Sequence, residues 1–134
     1  MAEDTFEAAA RLENLGQHRE ARSKYRRLSR KSPASAAVLA GIGRCSTVMH
    51  EYADAERALL SAVRIEPSNP EFLTSLAYCY LQMGRGESSE EWARKALDAR
   101  PGHWPALHVI ADVYRSGGEP QAAYELIKPL ADGP

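Results

Sequence analysis

Three prolines, Pro33, Pro67 and Pro101, stand 34 residues apart twice over, and that interval limits what the chain can fold into more than any other feature. A fixed period of roughly 20–50 residues marks an array of supersecondary units, each too small to bury its own apolar face. With this proline set at position 32, the units begin at Ala2, Ala36, Pro70 and Trp104. Four repeats follow, over 2–35, 36–69, 70–103 and 104–134, in one continuous repeat domain spanning 1–134. Other positions agree. Position 8 holds Ala9, Gly43, Ala77 and Ala111, and position 20 holds Ala21, Ala55, Ser89 and Ala123. Both are small every time, as a helical hairpin requires where its two axes approach closely. Position 7 reads Ala8, Ile42, Leu76 and Ile110, and position 27 reads Leu28, Ala62, Ala96 and Leu130.

The spacing predicts helix pairs over 3–15 and 18–31, 36–49 and 52–65, 70–83 and 86–99, and 105–116 and 119–131. Gly16, Gly84 and Gly117-Gly118 close the first helix of three units, while Asn69-Pro70 and Trp104-Pro105 place proline in a first turn, where its missing N–H costs nothing. Ala21, Tyr25 and Leu28 form the inward stripe of the helix over 18–31.

The pattern resembles the tetratricopeptide repeat family over essentially the whole chain. Leu73, Leu76-Ala77, Tyr80, Gly84, Ala96 and Pro101 fall at that family's signature positions. Thr5 stands where the family has a large apolar residue, and Ser46 and Ala93 stand where it has aromatics. The resemblance implies an all-α fold, a right-handed superhelix of four hairpins and eight antiparallel helices. It also implies a concave groove, lined by the first helix of each pair, that binds an extended peptide or a partner helix.

The family's groove positions select Phe6, Arg44, Tyr78, His108, Asp112 and Arg115 as the expected partner-binding residues, with Ala37, Ala40 and Gly41 leaving a shallow hollow between them. Aromatic and arginine side chains are the types enriched at binding hot spots. The plain alternative is a solvated polar face. The carboxylate clamp that some family members use for the tails of heat-shock chaperones is missing: Phe6, Ala10, Gly41, Glu71 and Ser75 occupy its places. A heat-shock co-chaperone role is not expected.

Segment 17–31 carries seven basic residues and one acid, Glu20, with Arg19, Arg22, Arg26 and Arg30 along one helix stripe. This stripe fits an acidic partner or, more plainly, a solvated face whose stems cover apolar neighbours. Cys45 and Cys79 share position 10 and read as small buried hydrophobes rather than reactive thiols or metal ligands. The four histidines fall at four different repeat positions, so no metal-ligand spacing emerges. No phosphate loop, nucleophile elbow or zinc-binding H-E-x-x-H is present, so neither catalysis nor a cofactor is expected.

With 17 basic against 18 acidic residues, the net charge of -1 argues against general nucleic-acid binding. No apolar run reaches the roughly 20 residues of a membrane span, and the first residues do not form a secretory signal, so a cytoplasmic location is expected. The last helix has no polar cap. Leu126, Ile127 and Leu130 therefore offer an apolar end for a second copy, a partner or a continuing chain, and a homo-oligomer through that helix is one expectation. The leading functional expectation is a protein-interaction adaptor or scaffold. The alternatives are a secretion-type chaperone holding its substrate in the groove, and the N-terminal recognition domain of a larger enzyme.

Overall fold

The computed structural model describes the backbone of residues 4–131 and the side chains of residues 4–129. Among the described residues all regular structure is α-helical. In chain order the helices are α1 (Phe6–Asn14), α2 (His18–Lys31), α3 (Ala36–Val48), α4 (Tyr52–Ile65), α5 (Pro70–Gln82), α6 (Gly86–Ala99), α7 (Trp104–Ser116) and α8 (Pro120–Ala131). They group into two compact units, Met1–Pro67 and Ser68–Pro134, each holding two hairpins.

The first helix of three pairs starts on a side-chain cap, while α7, after His103, has none. The Thr5 hydroxyl accepts from the Ala8 N–H at 3.1 Å, the Ser35 hydroxyl from Val38 at 3.3 Å, and Asn69 Oδ1 from Glu71 and Phe72 at 3.0 and 3.3 Å. These side chains satisfy donors that the helix itself leaves orphaned. Thr5 is also why α1 begins at Phe6, later than the sequence spacing suggests. At the other end of these helices one turn recurs. Gln17, Glu51, Arg85 and Glu119 donate their N–H back to Leu12, Ser46, Tyr80 and Tyr114, at 2.9, 2.9, 2.9 and 2.7 Å. This six-to-one bond needs the residue before the donor in the left-handed region. Gly16, Gly84 and Gly118 supply it at φ 81, 77 and 81°, but the second repeat uses His50 at φ 62°. A side chain there costs about 1 kcal/mol, and the exposed contact from His50 Nδ1 to the Tyr52 hydroxyl at 2.7 Å offsets little of it. His50→Gly is therefore expected to stabilise the protein by about 1 kcal/mol, read as a higher urea midpoint. An unchanged or lower midpoint would show that the His50–Tyr52 contact outweighs the backbone strain.

In the N-terminal unit, Ala9, Ala21, Tyr25, Val38, Ile42 and Cys45 form one buried cluster, with Leu12, Leu28 and Ala58 packed around it. Two helical glycines make room for bulky neighbours. A Cβ on Gly41 would lie 2.6 Å from the Tyr25 ring, and one on Gly43 would lie 2.3 Å from Leu59 Cγ. The hollow expected at Ala40-Gly41 is therefore absent. Tyr25 fills it, and both Tyr25 and Ala40 are fully buried.

The stripe on α2 also needs correcting. Arg19, Arg26 and Arg30 are exposed, but Arg22 is buried. It donates to the Ser46 hydroxyl at 3.2 Å and pairs with Glu51. Ser46 stands where the family carries an aromatic ring, and the space so released is occupied by an arginine head tied to a carboxylate. A buried cation is tolerated only when paired in this way.

The C-terminal unit buries Leu73, Leu76 and Ala77 of α5, Ala93 and Ala96 of α6, Leu107, Ile110 and Ala111 of α7, and Ala123 of α8. Ser89, the one hydroxyl at the small position 20, is fully buried and donates to the Ala77 carbonyl at 2.7 Å. Cys45 and Cys79 form no disulfide among the described residues, and both are fully buried. Burial, then the nearby Glu13 carboxylate, push the Cys45 thiol up to about 12. That keeps it protonated and unreactive at neutral pH.

Candidate functional site

Each unit presents a face built from its two first helices. In the N-terminal unit that face belongs to α1 and α3. Phe6, 38% exposed, sets its ring 5.8 Å from that of Tyr25. Arg44 does not reach outward as a free cation. Its Nε and Nη2 donate to the two Glu13 oxygens at 2.7 and 3.0 Å, and the Tyr25 hydroxyl donates to the same carboxylate at 2.8 Å. Burial would raise the Glu13 pKa, but the hydrogen bonds from Arg44 and Tyr25 and the Arg44 charge outweigh it and hold the carboxyl below its ordinary value. Glu13 thus gathers α1, α2 and α3 around one ionised group. Glu13 falls at the same repeat position as Arg115, one of the family's groove positions. Its spacing from Tyr25 and Arg44 was visible, but which of three helices it would bind was a matter of packing.

In the C-terminal unit the face belongs to α5 and α7. Tyr78 projects from α5, 44% exposed, while Thr74 one turn earlier is buried and its hydroxyl finds no partner among the described residues. On α7, Asp112 pairs with Arg115 and its Oδ2 lies 3.5 Å from His108 Nδ1. Leu81 and Gln82 of α5 and Asp112, Arg115 and Ser116 of α7 line a hollow of about 490 Å³. Tyr78, His108, Asp112 and Arg115 are thus carried by the same two helices. Phe6 and Arg44 lie in the other unit.

On α8, Leu126 and Ile127 are half-buried, and the large apolar side chain left exposed is Tyr124. Leu130, the third residue of the expected self-association end, lies outside the described side chains. Among the described residues, no group of three or more His, Cys, Asp or Glu is placed to hold a metal ion. No helix among them is long and apolar enough to cross a membrane.

Residues 49–103 match a family model described as Tetratricopeptide repeat. An 82-residue stretch is 32% identical to cellulose synthase operon protein C of Pseudomonas fluorescens (strain SBW25), covering 61% of this chain and 6% of that one. The chain therefore spans a small fraction of that relative. Among solved structures, MamA 41-end from Desulfovibrio magneticus RS-1 is 18% identical with a TM-score of 0.80, over 92% of this chain and 70% of that one. The first TPR of Spaghetti (RPAP3), solved bound to the HSP90 peptide SRMEEVD, is 14% identical with a TM-score of 0.77, over 84% and 89%. At these identities the structural likeness speaks to the fold.

Proposed function

The chain belongs to the tetratricopeptide repeat family, and from that premise we propose that it is an interaction scaffold whose α5–α7 face holds an extended segment of a partner protein. The observation that carries this reading is the exposed Tyr78 ring on α5, one turn before the Leu81 and Gln82 that line the hollow, together with the Asp112 and Arg115 of the His108–Asp112–Arg115 network that line it from α7. An aromatic anchor next to a concave surface with ordered polar groups is the arrangement in which a few residues carry most of the binding energy. The RPAP3 relative, solved with a peptide, supports a peptide occupant. The clamp positions differ here, so the acidic C-terminal tail of a heat-shock chaperone is not the occupant proposed. Arg115 is already engaged by Asp112, so a partner meets a polar but charge-balanced surface. The protein then acts by holding its partner, not by chemistry on it.

Selection of a displayed random-peptide library on the intact chain tests the proposal. Peptides recovered on the wild type are expected to bind a Tyr78→Ala, Arg115→Ala variant at least about 10-fold more weakly, as loss of a hot spot does. The variant's helicity is checked by circular dichroism. Peptides bound equally by both would remove this face from consideration. Arg44 is left untouched in this test, because replacing it breaks the Glu13 pairing and confounds binding with folding.

A further inference from the structure

The two units carry opposite charge. Residues 1–67 hold 11 lysines and arginines against 9 acids, and residues 68–134 hold 6 against 9. On α2, Lys24 and Arg27 are engaged by Asp4, and Arg22 by Ser46 and Glu51. Arg19, Arg26 and Arg30 are exposed on one line of the helix, and no carboxylate pairs with them among the described residues. Eleven residues of helix place that line over about 16 Å.

The C-terminal unit also has a cleft of about 640 Å³, which shares Leu81 and Ser116 with the hollow of the Tyr78 face. Leu81 and Val113 are among its apolar lining residues, and Glu87, Glu90, Glu119 and Tyr114 among its polar ones. Glu90 is already satisfied: the Tyr114 hydroxyl donates to its Oε2 at 2.8 Å, and Arg94 pairs with it at 2.6 Å. Burial would raise its pKa, and those two partners lower it. Glu87 and Glu119 are exposed and have no cation partner among the described residues. The nearest basic residue in sequence, Arg85, is not among the residues lining the cleft.

We propose that this cleft receives the arginine line of α2 from a second copy of the chain, so that copies associate head to tail. The cleft offers unpaired carboxylates above an apolar floor. Arginine suits it because its guanidinium pairs with the carboxylates while its stem lies on Leu81 and Val113. The two surfaces are different patches of one molecule, so each contact is heterologous, the cleft of one copy against the arginine line of another. This contact adjoins the proposed partner face at Leu81 and Ser116 and does not use the apolar side chains of α8.

Sedimentation of the full chain, mass 14.8 kDa, tests it. At about 50 mM salt the average mass is expected to rise with concentration to twice the monomer or more. At about 0.5 M salt it is expected to return to the monomer, because exposed charges are then screened within a few ångströms. A Glu87→Lys, Glu119→Lys variant and an Arg19→Glu, Arg26→Glu, Arg30→Glu variant should each stay monomeric alone. Mixed in equal amounts they should associate, because the first keeps its arginine line and the second keeps its acidic cleft. A wild-type protein that is monomeric near 1 mM at low salt overturns the proposal. So does association that survives high salt or either charge reversal, which would point to the apolar side chains of α8. Should either variant fail to fold, the salt dependence of the wild type still decides.

Discussion

Gly43→Ala is expected to destabilise the N-terminal unit by about 2 kcal/mol, although alanine is the better helix former. The helix preference of alanine over glycine is worth about 1 kcal/mol in its favour. Against it stands a new methyl 2.3 Å from Leu59 Cγ and 2.6 Å from Cδ2. Turning Leu59 about its outer bond leaves Cγ in place, and Leu59 is fully buried, so helix or side chain must move as a body. Overpacking of this kind costs about 1–3 kcal/mol, and contact at a branch carbon belongs at the upper end. The difference leaves the loss stated. Gly86→Ala is the matched control, because its Cβ would meet only Val113 Cγ1, at 3.3 Å. It is expected to be neutral or slightly stabilising. The measurement is urea unfolding of Gly43→Ala, Leu59→Ala and the pair. A coupling of about 3 kcal/mol between the two sites is expected, since truncating Leu59 removes the clash and leaves the helix preference of alanine. Additive single effects, or a Gly43→Ala protein as stable as wild type, would mean that α3 and α4 yield at no cost.

The helices were legible in the sequence because the repeat tests each assignment four times over, and small residues at two fixed positions mark where axes touch. What escaped was set by local exchanges between positions. Ser46 read as a missing aromatic, yet the loss is made good by Arg22, which looked like one of four equivalent surface arginines. Periodicity placed Arg19, Arg22, Arg26 and Arg30 on one stripe; only the room beside Ser46 and the Glu51 carboxylate distinguish Arg22 from the others. His50 escaped for the opposite reason. Its position is glycine in the other three repeats, so the turn was readable, but the tolerated strain was not. For the candidate site, the family's groove positions named Arg44 and Arg115 as comparable hooks. Whether an arginine is spent inside the fold depends on the residue facing it. Glu13 captures Arg44 across two helices, while Asp112 holds Arg115 within one turn of the same helix.

That capture gives Glu13 the second large effect. Glu13→Ala is expected to cost about 3 kcal/mol, most of it through Tyr25. The Arg44 side chain is 36% exposed and can turn to water, so the loss of its ion pair is discounted to about 1 kcal/mol. Tyr25 is fully buried, and burial together with the bond to Glu13 holds its hydroxyl protonated, well above the ordinary tyrosine range. Left without an acceptor, that hydroxyl adds about 2 kcal/mol. The charge on Glu13 also makes stability depend on pH, and the direction is fixed. Its folded pKa lies below the ordinary value of 4.5, so the unfolded chain takes up the proton first on acidification. The stabilisation is complete above the unfolded value and disappears as pH falls through it and then through the folded one. Glu13→Gln keeps an acceptor for Tyr25 but cannot titrate. The stability difference between wild type and Glu13→Gln should therefore be largest at neutral pH and shrink steadily below about pH 4.5. Unfolding curves followed by circular dichroism at several pH values read that difference. Parallel pH profiles for the two proteins would show that Glu13 is no more ionised in the folded unit than in the unfolded chain, and the carboxylate at the centre of α1, α2 and α3 would lose the role given to it here.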